Sequence, residues 1–417
     1  MSLANLGMAF EDGINKRSVD MLKRRGWRPR TIGLTGYGSV HSLHVMGRVI
    51  MGDPDATPES DPWVDVHGEG PGSRPARYPA LSDNAGEFLA RTAQEARRGW
   101  RQFFTAQVGH LPVTVRVDGR EFATTTDRSG YIDVMVSDHG LAPGWHPVTL
   151  EAKAAEPVVT DALVVAPTTR VGIVSDIDDT VMVTMLPRAA LAAWNSFVRH
   201  TNTRKPVPGM AELYAKVLDV HPDAPMFYLS TGAWNVVPTL KRFMLRHGLP
   251  VGPMLMTDWG PTPTGLFRSG KEHKRVQLRN LMITFPQISW LLVGDDGQHD
   301  PMIYDDVARE HPRNVWAIAI RRLTPTEQVL AHGTMESAEL PIRGRSAATE
   351  HGVPTVHGND GYALADELPD VLTSQRRRRE RREQVEAGTS PDQAAAGAAV
   401  ADTPGTDHAA ATFGGPA

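Results

Sequence analysis

The sequence of 417 residues contains no cysteine. This absence excludes disulfide bonds, zinc sites with thiolate ligands and a cysteine nucleophile, and it is compatible with a reducing cytoplasm. The sequence also lacks any apolar run that approaches the roughly 18–20 residues needed to span a bilayer. Its N-terminal segment has no secretory signal pattern, because Glu11 and Asp12 interrupt it. We therefore expect a cytoplasmic protein, with peripheral contact at the inner membrane face as an alternative.

Charge of one sign is not in large excess over the whole chain. The net charge is -4 at pH 7 and the pI is about 6.5, which argues against a protein that binds nucleic acid through its overall charge. One dense basic run, Arg376–Arg379 with Arg381 and Arg382, is either a solvated helix end or a contact for anionic lipid or nucleic acid. The other tail residues are mostly Ala, Gly, Thr, Pro and Asp, so we predict that 373–417 is disordered.

The chain is 41% hydrophobic, enough for the cores of two or three domains. Residues 1–35 are predicted to hold an amphipathic helix. Apolar residues at helical spacing form its apolar face over 3–25: Leu3, Leu6, Phe10, Ile14, Met21 and Leu22. This helix docks either on its own protein or on an anionic membrane.

Residues 36–166 follow a strand pattern instead. Val113, Val115 and Val117 alternate with polar residues, and the D-G pair at 118–119 predicts a hairpin turn. Similar strand patterns occur around 43–51, 131–136 and 145–152. Short strands separated by turn signals predict a small all-β sandwich domain.

Residues 167–372 predict an α/β domain. Short apolar runs that suit strands buried on both faces recur at 171–174, 226–229, 254–256, 290–293 and 315–320. Helical patterns lie between them, at 210–218, 236–247 and 274–283. This alternation predicts a doubly wound parallel sheet. The insertions between the elements are short, so only a small cap is expected over the sheet.

Polar side chains follow these predicted strands, at the edge of the sheet where ligands bind in open α/β folds. They are Asp176, Asp178, Asp179 and Thr180 after the first strand, Ser230 and Thr231 after the second, and Asp295, Asp296 and Asp300 after a later one. Lys271 and Lys274 open the helix before that later strand. Acidic, hydroxyl and amine groups are therefore expected to converge on one edge.

This set of groups suits phosphoryl transfer. A carboxylate can attack phosphorus and form an aspartyl-phosphate, while Mg²⁺ held by carboxylate oxygens offsets the charge of the substrate. A lysine and a hydroxyl can hold the remaining phosphoryl oxygens, and a second carboxylate can act as general acid and base. Taken singly, each group has a simpler interpretation: an acidic turn or calcium loop, a helix N-cap at Ser230, and surface lysines.

At these residues the sequence resembles the haloacid-dehalogenase-like (HAD) superfamily. The matching motifs are Asp176-Ile-Asp178-Asp-Thr180, Ser230, Lys274 and Gly294-Asp295-Asp296 with Asp300. Longer stretches, including V-S-D-I-D-D-T, F-Y-L-S-T-G-A-W-N and G-D-D-G-Q-H-D-P-M-I-Y, resemble the catalytic domain of the actin-patch-associated phosphatidate phosphatase family over about 167–335. The resemblance implies a HAD-like fold for the α/β domain.

The resemblance also implies roles for individual residues. Asp176 is expected to be the nucleophile and a metal ligand, and Asp178 the general acid and base. Ser230 and Lys274 are expected to hold the phosphoryl group, with Thr180, Thr231 and Lys271 as further candidates. The expected ligands of Mg²⁺ are Asp176 and Asp295, with Asp178, Asp296 and Asp300 as further candidates. Asp296 stands where this family is expected to carry a serine, and Lys271 is the alternative to Lys274.

The shallow site and the resemblance together imply a bulky substrate. The leading hypothesis is hydrolysis of phosphatidate to diacylglycerol and phosphate, which makes a phospholipid the expected partner and nucleic acid an unlikely one. One alternative is a phosphatase for another bulky phosphomonoester, on a protein or a nucleic-acid end. The other is a non-catalytic lipid-binding module. The sequence indicates no oligomeric state.

Overall fold

The computed structural model describes residues 17–54, 106–183, 205–257, 270–297, 299–332 and 352–368. Helix α1 covers 17–24 of this part. Gly26, with φ 86°, follows the helix, and strand β1 begins at Arg28. The helix predicted within 1–35 is present over 17–24, and the last part of that segment, 28–35, belongs to strand β1. Three glycines in β1 interrupt the alternation that would have predicted it, and residues 1–16 lie outside the described ranges.

Seven strands form the first sheet: β1 Arg28–Ser39, β2 Ser42–Gly52, β3 Pro112–Val117, β4 Arg120–Thr125, β5 Tyr131–Ser137, β6 Gly144–Ala152 and β7 Val158–Val165. Their order is β4-β3-β6-β7-β1-β2-β5. All neighbours are antiparallel except β1 and β7. The predicted strands are confirmed, and Val113, Val115 and Val117 point into the core.

The predicted sandwich of two sheets is wrong for these strands. They form one continuous sheet, whose edge strands β4 and β5 approach each other, so the sheet is strongly curved and nearly closed. Alternation along a strand fixes which side chains face the core. It does not fix which strands pair, because pairing depends on contacts between distant parts of the chain.

The second sheet is parallel throughout, as the sequence predicts. Its strands are β8 Val171–Asp176, β9 Met226–Ala233, β10 Met254–Thr257, β11 Ser289–Asp295, β12 Val315–Arg321 and β13 Thr355–Gly358, in the order β10-β9-β8-β11-β12-β13. The helices after α1 are α2 Met210–Val220, α3 Val237–Arg246, α4 Gly270–Thr284, α5 Asp300–Glu310, α6 Pro325–His332 and α7 over 361–368. A 3₁₀ turn, Trp234–Val236, precedes α3.

Both sheets lie in one compact unit that ends at Leu368. Tyr37 of the first sheet packs edge-on against Phe227 of the second, with ring centroids 5.1 Å apart. Arg48 donates a hydrogen bond to Asn235 Oδ1. The predicted boundary near 166 falls between β7 and β8, and a division into separately folding domains remains a prediction. The predicted tail, 373–417, lies outside the described residues.

Within the described ranges, no helix combines the length and the apolar character needed to cross a membrane. The helices of the parallel sheet are amphipathic or mixed instead. In α2, for example, Met210, Leu213, Tyr214 and Val217 are buried at helical spacing.

A substitution in β8 tests how tightly the strands pack. Gly172 pairs with Trp290, and a Cβ built on Gly172 would lie 2.4 Å from Cζ3 of that fully buried ring. We expect Gly172→Ala to lower the free energy of unfolding by about 1–3 kcal/mol, because the ring has no space to move. Urea denaturation measures this change. Trp290→Phe removes the clashing part of the ring, so the double variant should lose less than the sum of the single losses.

Candidate functional site

Three aspartates meet at the carboxyl edge of the parallel sheet. Asp176 is the last residue of β8, Asp295 is the last residue of the neighbouring strand β11, and Asp300 begins α5. One carboxylate oxygen from each lies within 4.8 Å of the others. All three residues are almost completely buried. The expected convergence of these acids is therefore present in the structure.

Lys274 of α4 lies inside this cluster. Its Nζ is 2.6 Å from Asp176 Oδ1 and 2.6 Å from Asp300 Oδ1, and the residue is 2% exposed. Lys271, in the first turn of the same helix, is exposed to solvent. Of the two candidate lysines, Lys274 is thus the one at the site.

The cluster holds more negative charge than Lys274 can balance. Burial alone would lower the pKa of Lys274, but Asp176 and Asp300 raise it above its ordinary value, so the amine stays protonated. Burial and neighbouring carboxylates raise the pKa of Asp295 well above its ordinary value. Burial also raises the pKa of Asp176, although Lys274 opposes the shift. Three carboxylates and one ammonium leave an excess of negative charge in a buried place.

Two oxygens of the cluster are available for a ligand. Oδ2 of Asp295 and Oδ2 of Asp300 are buried and have no hydrogen-bond partner among the described residues. An unpaired buried acceptor is costly. A divalent cation with hard oxygen ligands would satisfy both atoms and offset the excess charge. The donor set therefore fits a metal ion held by Asp176, Asp295 and Asp300.

The loop after β8 places the remaining predicted groups. Thr180 Oγ1 donates to Asp176 Oδ2 at 3.2 Å, and Ser230 Oγ donates to Asp178 Oδ2 at 3.2 Å. The backbone N–H of Gly232 donates to Ser230 Oγ at 2.9 Å and fixes that hydroxyl. Asp178 thus faces β9 rather than joining the three clustered carboxylates. Thr231 is half-buried, and its methyl group lies against Gly270 at the start of α4.

Asp295 and Asp296 are adjacent but face different surroundings. Asp295 Oδ1 accepts a hydrogen bond from the backbone N–H of Gly297 at 2.7 Å, next to the cluster. Asp296 Oδ1 accepts from Leu323 N–H and from Gln328 Nε2, each at 2.8 Å. Asp296 therefore fixes the segment that leads into α6. The sequence left Asp295, Asp296 and Asp300 open as metal ligands, and the structure places Asp295 and Asp300 in the cluster.

Arg321 also contributes to the site, although the sequence analysis missed it. This residue is buried at the end of β12, and its Nη1 donates to the carbonyl oxygen of Asp179 at 2.7 Å. Asp179 has φ 58°, an uncommon conformation for a residue other than glycine. Nη2 of Arg321 pairs with Glu327 at 2.8 Å. The position of Arg321 directly after a buried strand was the signal that could have revealed it.

Part of the chain is similar to a known family and to proteins of two yeasts. Residues 171–322 match the family model for the catalytic domain of phosphatidate phosphatase APP1, which confirms the predicted resemblance for that segment. Phosphatidate phosphatase APP1 of Saccharomyces cerevisiae is 26% identical over 233 residues, which covers 52% of this chain and 39% of that protein. An uncharacterized protein of Schizosaccharomyces pombe is 22% identical over 173 residues, which covers 41% of this chain and 28% of that protein. This chain thus spans less than half the length of these curated relatives.

Two solved structures were also found. One is an uncharacterized protein from Listeria monocytogenes, with a TM-score of 0.31 and 11% identity over 49% of this chain and 99% of that chain. The other is a carbohydrate acetylesterase from Xanthomonas citri, with a TM-score of 0.21 and 10% identity over 55% of this chain and 68% of that chain. These scores are too low to indicate a shared fold.

Removing one carboxylate tests the charge balance of the cluster. A carboxyl group whose pKa is raised on folding destabilises the fold as the pH rises above its ordinary value of 3.8. We therefore expect Asp295→Asn to raise the melting temperature at neutral pH in the presence of EDTA. Wild type should gain stability when divalent cations are added, and Asp295→Asn should lose most of that gain. Thermal unfolding with and without a panel of cations measures both effects.

Asp296→Asn is the matched control, because asparagine can still accept both hydrogen bonds at that position. It should respond to cations as wild type does. Equal cation responses of Asp295→Asn and wild type would contradict the metal site.

Arg321→Leu tests the support of the loop. Removing the guanidinium takes its hydrogen bonds from the half-buried Glu327 and from the Asp179 carbonyl, so we expect a loss of about 1–3 kcal/mol in the free energy of unfolding. Burial tends to raise the pKa of Glu327, but Arg321 and Thr324 hold it below its ordinary value of 4.5. The loss should therefore be complete at neutral pH and shrink as the pH falls below 4.5. The exposed neighbour provides the control: Arg322→Leu should change stability by about 0.5 kcal/mol or less in urea denaturation.

Proposed function

We propose that this chain is a Mg²⁺-dependent phosphatase that hydrolyses phosphatidate to diacylglycerol and phosphate through an aspartyl-phosphate at Asp176. The observation that carries this proposal is the buried contact of Asp176 with Lys274, beside two carboxylates that each have an unpartnered oxygen. A cation site and an amine that both contact a potential nucleophile suit phosphoryl transfer better than they suit cation binding alone. We propose a HAD-like, doubly wound arrangement for the α/β part.

In the proposed mechanism, Asp176 is the nucleophile. Its carboxylate attacks phosphorus, and the bond from phosphorus to the lipid oxygen breaks. Mg²⁺, when bound by Asp176, Asp295 and Asp300, would offset the charge of the phosphoryl group and of the attacking carboxylate. Lys274 has three N–H donors, and two of them point at Asp176 and Asp300. The third is available for a phosphoryl oxygen.

Asp178 is proposed to move the proton. It gives a proton to the departing lipid oxygen in the first step. In the second step it takes a proton from the water that attacks the aspartyl-phosphate, which releases phosphate and restores Asp176. Ser230, whose hydroxyl lies 3.2 Å from Asp178, is proposed to hold a phosphoryl oxygen. Asp178 is 9% exposed, more than the three clustered carboxylates beside it.

The choice of phosphatidate is supported by the comparisons. The matched family model is that of a phosphatidate phosphatase catalytic domain, and the matched segment, 171–322, contains every residue assigned a role above. The yeast relative carries the same activity in its name. Cytoplasmic location with contact at the inner membrane face follows as part of the proposal. The predicted cap residues between 184 and 204 lie outside the described part of the chain.

The test is release of phosphate from vesicles that contain phosphatidate, with Mg²⁺ and with EDTA. Wild type should release phosphate only with Mg²⁺. Asp176→Asn should lower kcat by a factor on the order of 10⁴ or more, because the nucleophile is lost. Asp296→Asn, an identical change one residue from the metal ligand Asp295, should keep activity within about tenfold of wild type.

Other outcomes separate the alternatives. Rapid hydrolysis of a soluble phosphomonoester with no release from phosphatidate would reject the lipid substrate but keep the phosphatase. Binding to vesicles without hydrolysis of any phosphomonoester would indicate a non-catalytic lipid-binding module.

A further inference from the structure

Residues 17–30 are unusually basic for this chain. Six side chains are cationic, namely Arg17, Lys23, Arg24, Arg25, Arg28 and Arg30, and one, Asp20, is acidic. The segment therefore carries a net charge of +5, from six positive and one negative side chain, in a protein whose total charge is -4. A local excess of this size in an acidic protein points to an anionic partner.

The segment presents these charges to solvent. Val19 is buried against the core of the first sheet, and Leu22 and Trp27 pack against the same core. The helical residues on the other side, Arg17, Met21 and Arg24, are exposed, and Met21 is 47% exposed. Lys23, Arg25 and Arg28 are exposed as well. The apolar side of α1 is thus already used within the protein, and the basic side remains available.

Three of these cations have no partner side chain within the part of the protein that the structure describes. Lys23, Arg24 and Arg25 form no ion pair or side-chain hydrogen bond with any residue in the described ranges. Three consecutive cations repel one another, and an external anionic surface would relieve that repulsion.

The direction of β1 places Arg28, at the end of this basic segment, at the same end of the molecule as the candidate site. Tyr37, near the end of β1, contacts Phe227 close to the amino end of β9. Arg48 lies opposite Ile32 in the β1–β2 register, and it bonds Asn235 just beyond the carboxyl end of β9. Tyr37, Ile32 and Arg28 therefore lie in that order along the direction from the amino ends to the carboxyl ends of the parallel strands. Arg28 lies past the carboxyl ends. Asp176, Ser230 and Asp295 lie at those carboxyl ends.

We propose that Arg17, Met21, Lys23, Arg24, Arg25 and Arg28 form a docking surface for an anionic lipid bilayer, called here the basic face. The basic face would hold the enzyme with its carboxyl edge towards the bilayer that contains the substrate. This inference rests on the proposed lipid substrate for its biological purpose, but the binding itself is testable without catalysis. Each Lys or Arg near an anionic surface adds to the attraction, and an apolar residue such as Met21 adds contact with the acyl boundary.

The test compares two variants with equal loss of charge. The first replaces Lys23, Arg24 and Arg25 with Gln. The second replaces Arg170, Lys216 and Arg313, exposed cations away from the basic face, with Gln. Arg170 and Arg313 precede β8 and β12, so they lie near the amino ends of the strands. Thermal unfolding should show that both variants fold as wild type does.

Sedimentation with vesicles of phosphatidylcholine and phosphatidylserine measures docking, because these lipids carry no phosphomonoester. Wild type and the second variant should bind, and added salt should weaken the binding. The first variant should bind at least tenfold more weakly. None should bind phosphatidylcholine alone. Equal binding of the first variant and wild type, or binding that ignores salt, would overturn the proposal.

Activity separates this inference from the proposed function. The first variant should lose activity on phosphatidate in vesicles but keep its kcat on a soluble phosphomonoester. If wild type hydrolyses neither substrate but still binds anionic vesicles, the proposed phosphatase activity is rejected and the proposed docking surface is retained. Tighter binding of an RNA oligonucleotide than of anionic vesicles, abolished in the first variant, would reassign the basic face to nucleic acid and reject the lipid proposal.

Discussion

The contact between Lys274 and the carboxylates of Asp176 and Asp300 organises the carboxyl edge of the parallel sheet. Removing these groups from water is expensive, and each charge is tolerated only because the others are near. The same contact ties three elements together, since Asp176 ends β8, Lys274 belongs to α4, and Asp300 begins α5. The positions of these three elements and the charge balance of the site therefore depend on each other.

A second layer of polar contacts surrounds this charged centre. Asp296 accepts hydrogen bonds from Leu323 and Gln328, and Arg321 donates to the carbonyl of Asp179. In this layer the guanidinium of Arg321 is paired with Glu327, and Asp296 accepts hydrogen bonds from neutral donors. These contacts join the loops after β8 and β11 to the end of β12 and the start of α6. The inner cluster thus stays short of positive charge, as a cation site requires, while the outer layer connects the loops through hydrogen bonds.

The first sheet packs against β9 and against the segment that follows it. Tyr37 packs against Phe227 and Phe285, and burial raises the pKa of Tyr37 to about 12, so its hydroxyl stays neutral. Arg48 lies over the ring of Tyr131 and bonds Asn235, which follows the strand that carries Ser230. The curved sheet is therefore in contact with the segment that presents a candidate phosphate ligand, and it also carries the basic face.

The sequence by itself determined five of the six parallel strands, the helices between them and the polar groups at their carboxyl edge, but not β13. These features are local, because a buried run and the polar residue after it are adjacent in the chain. It favoured Lys274 but kept Lys271 as an alternative, it left Asp296 open beside Asp295 and Asp300, it missed Arg321, and it predicted a sandwich where one curved sheet exists. Only the tertiary structure decided those points, since they depend on which side chain meets which partner across long separations in sequence. Residues one or three positions apart look equivalent in a motif, whereas packing buries one of them among charges and leaves the other in solvent or on a neutral partner.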